Sequence, residues 1–217
     1  MAKVGADFVW RMEAVLDTYA EPYNALRPVV CFDEKSVQLL DHIAPPLPPA
    51  PGLPARVDYE YKRCGTVNMF VAVEPLTGKR TLTVTDKRGN AEFTEQMQAL
   101  DLRYPEAEKI RVVLDNLSTH SPAAFYQYLT PEEARRLTQR FEWVYTPKHA
   151  SWLNSAEIEW SVLARQCLGQ RLASKEILER VIKAWETERN ERCVKVNWLF
   201  NTKEARVKLV SYYPKRE

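Results

Sequence analysis

Three acids spread over most of the chain are the residues best suited to chemistry: Asp33, Asp115 and Glu157. Asp33 closes the apolar run Pro28-Val29-Val30-Cys31-Phe32, and Asp115 closes Ile110-Arg111-Val112-Val113-Leu114. Short, β-rich apolar runs of this kind suit strands buried on both faces. In open α/β sheets, ligands bind beyond the carboxyl ends of the strands, so parallel neighbours would deliver the two aspartates side by side. Carboxylates so placed repel each other, and one is driven towards protonation unless a cation neutralises the pair. Mg²⁺ fits this pattern, with Mn²⁺ as a substitute, because it takes few protein carboxylates and keeps waters that phosphate oxygens can displace. A single strand-ending aspartate often only caps a loop. The matched pair carries the argument.

A third acid should come from a helix packed across this edge, and two glutamates compete. Trp160, Leu163, Ala164, Cys167 and Leu168 form a helical stripe after Asn154. On a helical wheel Glu157 lies roughly 65° from the stripe's centre and Glu159 roughly 95° away on the other flank. Glu157 also falls in the first helical turn, where a carboxylate suits the macrodipole. Glu157 is therefore chosen, and Glu159 is expected to be a solvated or salt-bridged surface residue.

The elements that must position these acids can be read from periodicity. Phe8, Met12, Val15, Leu16 and Tyr19 make one face of a helix that Pro22 stops. Residues 44–54 hold six prolines in eleven positions and predict a semi-rigid, polyproline-like loop. Residues 66–73 and 79–85 read as a hairpin. Asn90 is placed as the cap of a helix reaching about residue 102. Another helix is expected near 122–129 and a strand at 140–146. Beyond Asn154 the chain turns helical, with Ser174 capping one helix and Asn201 opening another in a capping-box spacing with Glu204. The order predicts an α/β fold, a mixed central sheet flanked by helices. Residues 1–25 are taken as a helical lead-in and 26–217 as the main domain.

Composition narrows the class. The chain has 217 residues, 45% hydrophobic and 28% charged, which suits a globular domain and excludes a disordered one. Its net charge of +2 means that any phosphate-binding surface must come from local clustering of the 31 Lys and Arg residues. The four cysteines lack zinc-site spacing, and Cys31 and Cys167 lie in apolar runs, which favours reduced thiols. No signal peptide or membrane span is evident, so a cytoplasmic protein is expected.

At these acids the sequence resembles a known group. The segments Val30-Cys31-Phe32-Asp33-Glu34-Lys35, Val113-Leu114-Asp115-Asn116 with His120, and Tyr145-Thr146-Pro147-Lys148-His149 leading to Ser151-Trp152-Leu153-Asn154-Ser155-Ala156-Glu157 are similar to DDE transposases of the bacterial insertion sequence 630 family, relatives of the mariner elements. The resemblance runs from about Phe8 to Pro214. It implies an RNase H-like fold and a catalytic, metal-binding triad of Asp33, Asp115 and Glu157 holding two Mg²⁺ ions. It also implies cleavage at transposon ends and strand transfer into TA target DNA, and it is compatible with a homodimer in the DNA complex.

With DNA as the implied partner, Lys35, Lys148, His149 and Asn154 are expected to reach backbone phosphates, and Arg165 to do so from the helix. Asn116 and His120 are expected to support the acids from behind. Two features depart from the family pattern. The gap between Asp115 and Glu157 is lengthened through the polar stretch 130–139, and only one helix precedes the first catalytic strand, where relatives carry an end-recognising helix-turn-helix. Two rivals remain on sequence alone: another RNase H-like nuclease or integrase, and a catalytically silent DNA-binding remnant.

Overall fold

The computed structural model describes residues 5–56 and 58–214. Its elements follow the order α1 (Ala6–Ala20), β1 (Val29–His42), β2 (Tyr61–Glu74), β3 (Lys79–Thr85), α2 (Asn90–Arg103), β4 (Ile110–Leu114), α3 (Phe125–Tyr128), α4 (Pro131–Arg140), β5 (Phe141–Tyr145), α5 (Ala156–Gln166), α6 (Lys175–Glu191) and α7 (Thr202–Lys208). The five strands form one sheet in the order β3-β2-β1-β4-β5. β1, β2 and β3 pair antiparallel, whereas β1 with β4 and β4 with β5 pair parallel. This is the expected mixed sheet.

Alternation along the strands builds a core on each face. Cys31, Val71, Val73 and Val113 face α1, α5, α6 and α7, where Met12, Leu16, Trp160, Leu163 and Ile182 meet them. Val30, Phe32, Val112 and Leu114 face α2, α3 and α4, against Phe93, Met97, Phe125 and Leu137. Met12, Val15 and Leu16 of α1 are almost wholly buried, each contributing about 1.5–3 kcal/mol of burial. The N-terminal helix is thus part of this core. Among the described residues no helix is long and apolar enough to cross a membrane.

Several local expectations are corrected. β1 does not stop at residue 32: it continues to His42, with Asp33 inside it, because β2 stays paired along its length. Only its start, Val29 to Cys31, also pairs with β4. The proline-rich loop is not extended polyproline. Leu47 with Arg56 and Ala50 with Leu53 exchange backbone hydrogen bonds across a turn at Gly52 (φ 76°), using N–H groups that the intervening prolines lack. Gly89, not Asn90, caps α2, with the Glu92 carboxylate accepting from the Gly89 N–H. The polar stretch 130–139 is α4, begun by Thr130 and Pro131 in cap and first-turn positions.

The outer edge of β3 is closed by side chains of α6. The Asn190 amide accepts from the Arg80 N–H and donates to the Arg80 carbonyl, at 2.8 and 2.9 Å. Glu186 accepts from the Leu82 N–H at 2.8 Å. An otherwise bare strand edge is thereby paired.

Candidate active site

Asp33 and Asp115 are set by register. The last pair of the parallel ladder is Cys31 with Val113, and two residues further the same register puts Asp33 beside Asp115. Parity sends both towards the α5 face, since Cys31 and Val113 already face that core. The Trp160 indole N–H donates to Asp33 Oδ2 at 2.9 Å, and the Glu34 N–H donates to Oδ1 at 2.9 Å.

The start of α5 is pinned over this edge by two polar staples. Asn154 donates through Nδ2 to the Phe32 carbonyl at 2.8 Å and accepts through Oδ1 from the Ala156 N–H at 3.1 Å. Tyr19 of α1 donates to the Leu153 carbonyl at 2.9 Å and accepts from the Ser155 N–H at 3.1 Å. Glu157 follows immediately. Burial pushes the Asp33 carboxyl up to about 7, and the charge of Glu157 is the next largest cause. Two acids 124 residues apart in sequence therefore sense each other in the fold.

Asp115 is the first residue after β4 and is half-buried. His120 Nδ1 lies 2.6 Å from Asp115 Oδ1, and His120 Nε2 lies 2.8 Å from Glu34 Oε2. Burial pulls the imidazole pKa down, but its bonds to Asp115 and Glu34 outweigh that and lift it to about 9. Nδ1 also lies 3.4 Å from the Asp115 backbone carbonyl, and a ring presenting protons to both carboxylates would be an imidazolium.

The remaining predicted residues separate into two groups. Lys35, Lys148, His149, Arg165 and Asn116 are all exposed. His149 holds φ at 62°, a left-handed conformation uncommon outside glycine. Asn154 must be corrected: it is 2% exposed and both ends of its amide serve the backbone, so it is no phosphate contact. Glu159 is also corrected. It is buried, with Arg80 Nε and Arg189 each 3.0 Å from its oxygens, and it ties α5 to β3 and α6.

Sequence reasoning missed Glu34 as the partner of His120 and Trp160 as the donor to Asp33. A tryptophan on an apolar stripe carries an N–H that needs a partner when buried, which was the available signal for Trp160. No periodicity pointed to Glu34.

Hard carboxylate oxygens suit Mg²⁺ or Mn²⁺, and the mutual repulsion of Asp33 and Glu157 is the kind a cation relieves. The donor set fits such an ion. Among the described residues no group of three or more His, Cys, Asp or Glu side chains is gathered closely enough to hold a metal ion by itself. An ion that retains several waters does not require one.

The protein-family comparison matches residues 28–179 to the DDE superfamily endonucleases. The chain belongs to that family. Its fold is RNase H-like. Similar solved structures include the Mos1 mariner paired end complex with Mn, at 18% identity and TM-score 0.55, covering 85% of this chain and 58% of that one. The Mos1 transposase paired-end complex with the left transposon end gives 17%, 0.55, 85% and 58%. The Mos1 Strand Transfer Complex gives 16%, 0.54, 88% and 63%. This DDE-family chain thus spans about three fifths of the length of those solved chains. No curated protein matches it.

Proposed function

We propose that this chain is the catalytic domain of a DNA transposase of the insertion sequence 630 group, cutting transposon ends and joining them to TA target DNA. Asp33, Asp115 and Glu157 would hold two Mg²⁺ ions, or Mn²⁺ in their place. What supports the reading is the docking of the start of α5 over β1, where Asn154 holds the Phe32 carbonyl, Trp160 donates to Asp33 and the charge of Glu157 bears on Asp33, with Asp115 next in register. The catalytic domain is taken as 26–217, of which 57 and 215–217 lie outside the described residues, and the lead-in as 1–25, of which 1–4 do; the lead-in's helix, α1, packs on the sheet. The working assembly is a homodimer on DNA in the bacterial cytoplasm, at the nucleoid.

When bound, the cations supply Lewis acidity, favouring deprotonation of the attacking hydroxyl and offsetting charge on the leaving oxygen. The chain's own residues do the rest. Trp160 and the Glu34 N–H orient Asp33. Asn154 and Tyr19 fix the turn that presents Glu157. Exposed Lys35, Lys148 and His149 lie close in sequence to the acids and suit backbone phosphates, with Arg165 and Asn116 at the periphery.

The test is plasmid nicking and strand transfer by the full chain with Mn²⁺, followed by sequencing of joined products. Asp33→Ala, Asp115→Ala and Glu157→Gln should each lower the rate on the order of a thousand-fold. Undiminished cleavage by any of the three removes that residue from the site. Cleavage without joined ends reduces the proposal to a nuclease.

A further inference from the structure

Taking Asp115 as a metal-binding acid, we propose that the buried Glu34–His120 pair is a positioning device that aims Asp115 at the metal site. Asp33 sits within a continuous antiparallel ladder, but Asp115 lies just past Leu114, the last paired residue of β4. Its backbone lacks that support, so something else must set the carboxylate.

His120 supplies the contact. Its side chain is 1% exposed and that of Glu34 is 3% exposed. The imidazole packs against Phe93 and Phe32, with ring centroids 5.1 and 5.7 Å away. Its backbone is fixed as well, because the His120 N–H donates to the Leu117 carbonyl and the Tyr145 hydroxyl donates to the His120 carbonyl. The ring is thus packed against two phenylalanines and anchored at its root, with one nitrogen on Glu34 and the other on Asp115. Asp115 Oδ1 takes the His120 contact and a long bond from the Leu117 N–H, while Oδ2 accepts from no described residue. Oδ2 is the atom left for a cation.

Burying a carboxylate and an imidazole among phenylalanines is costly unless each is paired. An apolar pair would fill this space without that cost. What an apolar pair would lack is a donor at the one carboxylate that the sheet does not hold. Outer partners of this kind orient metal ligands in many sites.

The test is Mn²⁺ titration of the full chain, read by loss of the free-ion paramagnetic resonance signal and by thermal shift. His120→Ala should weaken Mn²⁺ binding about 10- to 100-fold. His120→Asn puts a donor where Nδ1 stood and should recover most of the loss; His120→Gln mimics Nε2, which faces Glu34, and should not. Glu34→Gln should weaken binding less than His120→Ala.

Wild-type affinity in folded His120→Ala overturns the proposal. If that variant does not fold, equal affinities for the Asn and Gln variants, with Glu34→Gln unchanged, overturn it instead. Asp115→Ala separates the two levels. Binding that survives Asp115→Ala sinks the metal-ligand reading itself. Binding lost there but kept in His120→Ala sinks the positioning role alone.

Discussion

Asp33 and Asp115 occupy matching places on neighbouring parallel strands, yet different forces hold them. Asp33 lies in a ladder that runs unbroken from residue 31 to residue 39, so the backbone sets its position and Trp160 only trims its rotamer. Asp115 hangs past the end of a five-residue strand and depends on side chains, His120 above all. Their electrostatics differ too. Asp33 faces an acid and is burdened by its own charge, whereas Asp115 faces an imidazole pushed towards its cationic form. One sheet edge therefore combines a rigid, repelled carboxylate with a tethered, neutralised one.

The helix that burdens Asp33 should be held as firmly as the ladder opposite it. Glu159→Ala would strand Arg80, which is 1% exposed, without its carboxylate, and should cost about 3–5 kcal/mol in urea unfolding. The exposed Arg192–Glu188 pair one helix away is the control, and Arg192→Ala should cost under about 0.5 kcal/mol. Equal, small losses for both would mean that α5 is not locked by charge.

Asparagine substitutions separate the two aspartates by sign. The raised pKa of Asp33 means that its charge opposes folding as pH rises from about 4 towards 7. With chelator present at neutral pH, Asp33→Asn should therefore stabilise, on the order of 1–2 kcal/mol after allowance for solvent screening. Asp115→Asn removes the charge from its bond to His120 and should destabilise by about 1–2 kcal/mol. Mn²⁺ should raise the melting temperature of wild type and of neither variant. Shifts of the same sign in both variants would erase the distinction drawn between them.

This contrast was only half legible in the sequence. Both strands and the hairpin follow from patterns of two and 3.6 residues, which report burial directly, and the helix caps at Ser174 and Asn201 follow from side chains that accept first-turn N–H groups. What periodicity cannot report is a pairing between distant polar groups. Asn154 reads as an exposed loop residue because nothing local shows that the Phe32 carbonyl, 122 positions away, needs a donor. Glu159 reads as surface because Arg80 and Arg189 come from other elements. In the sequence β1 reads as ending at Asp33 because its apolar run ends there, although β2 keeps pairing with the polar residues that follow.

Acid should affect the two sides of the sheet differently. On the α2–α4 face, burial raises the Asp101 pKa, but Arg140 and Arg136 more than offset this and hold it below its ordinary value. Its stabilising share is complete above the ordinary carboxylate pKa and is lost as pH falls through the lowered one. Asp101→Asn should cost about 1 kcal/mol at pH 6, and the difference from wild type should shrink on acidification. Asp33 behaves oppositely, since protonation below about 7 relieves its burden. A deficit for Asp101→Asn that stays constant from pH 6 downwards would show that the arginine pairs contribute nothing.

The smallest effects belong to the exposed cations around the acids. Lys35 and Lys148 have no structural duty visible in the fold, so alanine at either should leave stability unchanged. If each touches one phosphate, the slope of log affinity for duplex DNA against log salt should fall by about one for each replacement. Asn154→Ala is the converse: it frees the Phe32 carbonyl and the first turn of α5. It should lower stability and loosen Glu157 with no change in salt slope. A salt slope that follows Asn154 rather than the two lysines would return that amide to the DNA surface and undo its assignment as the staple between β1 and α5.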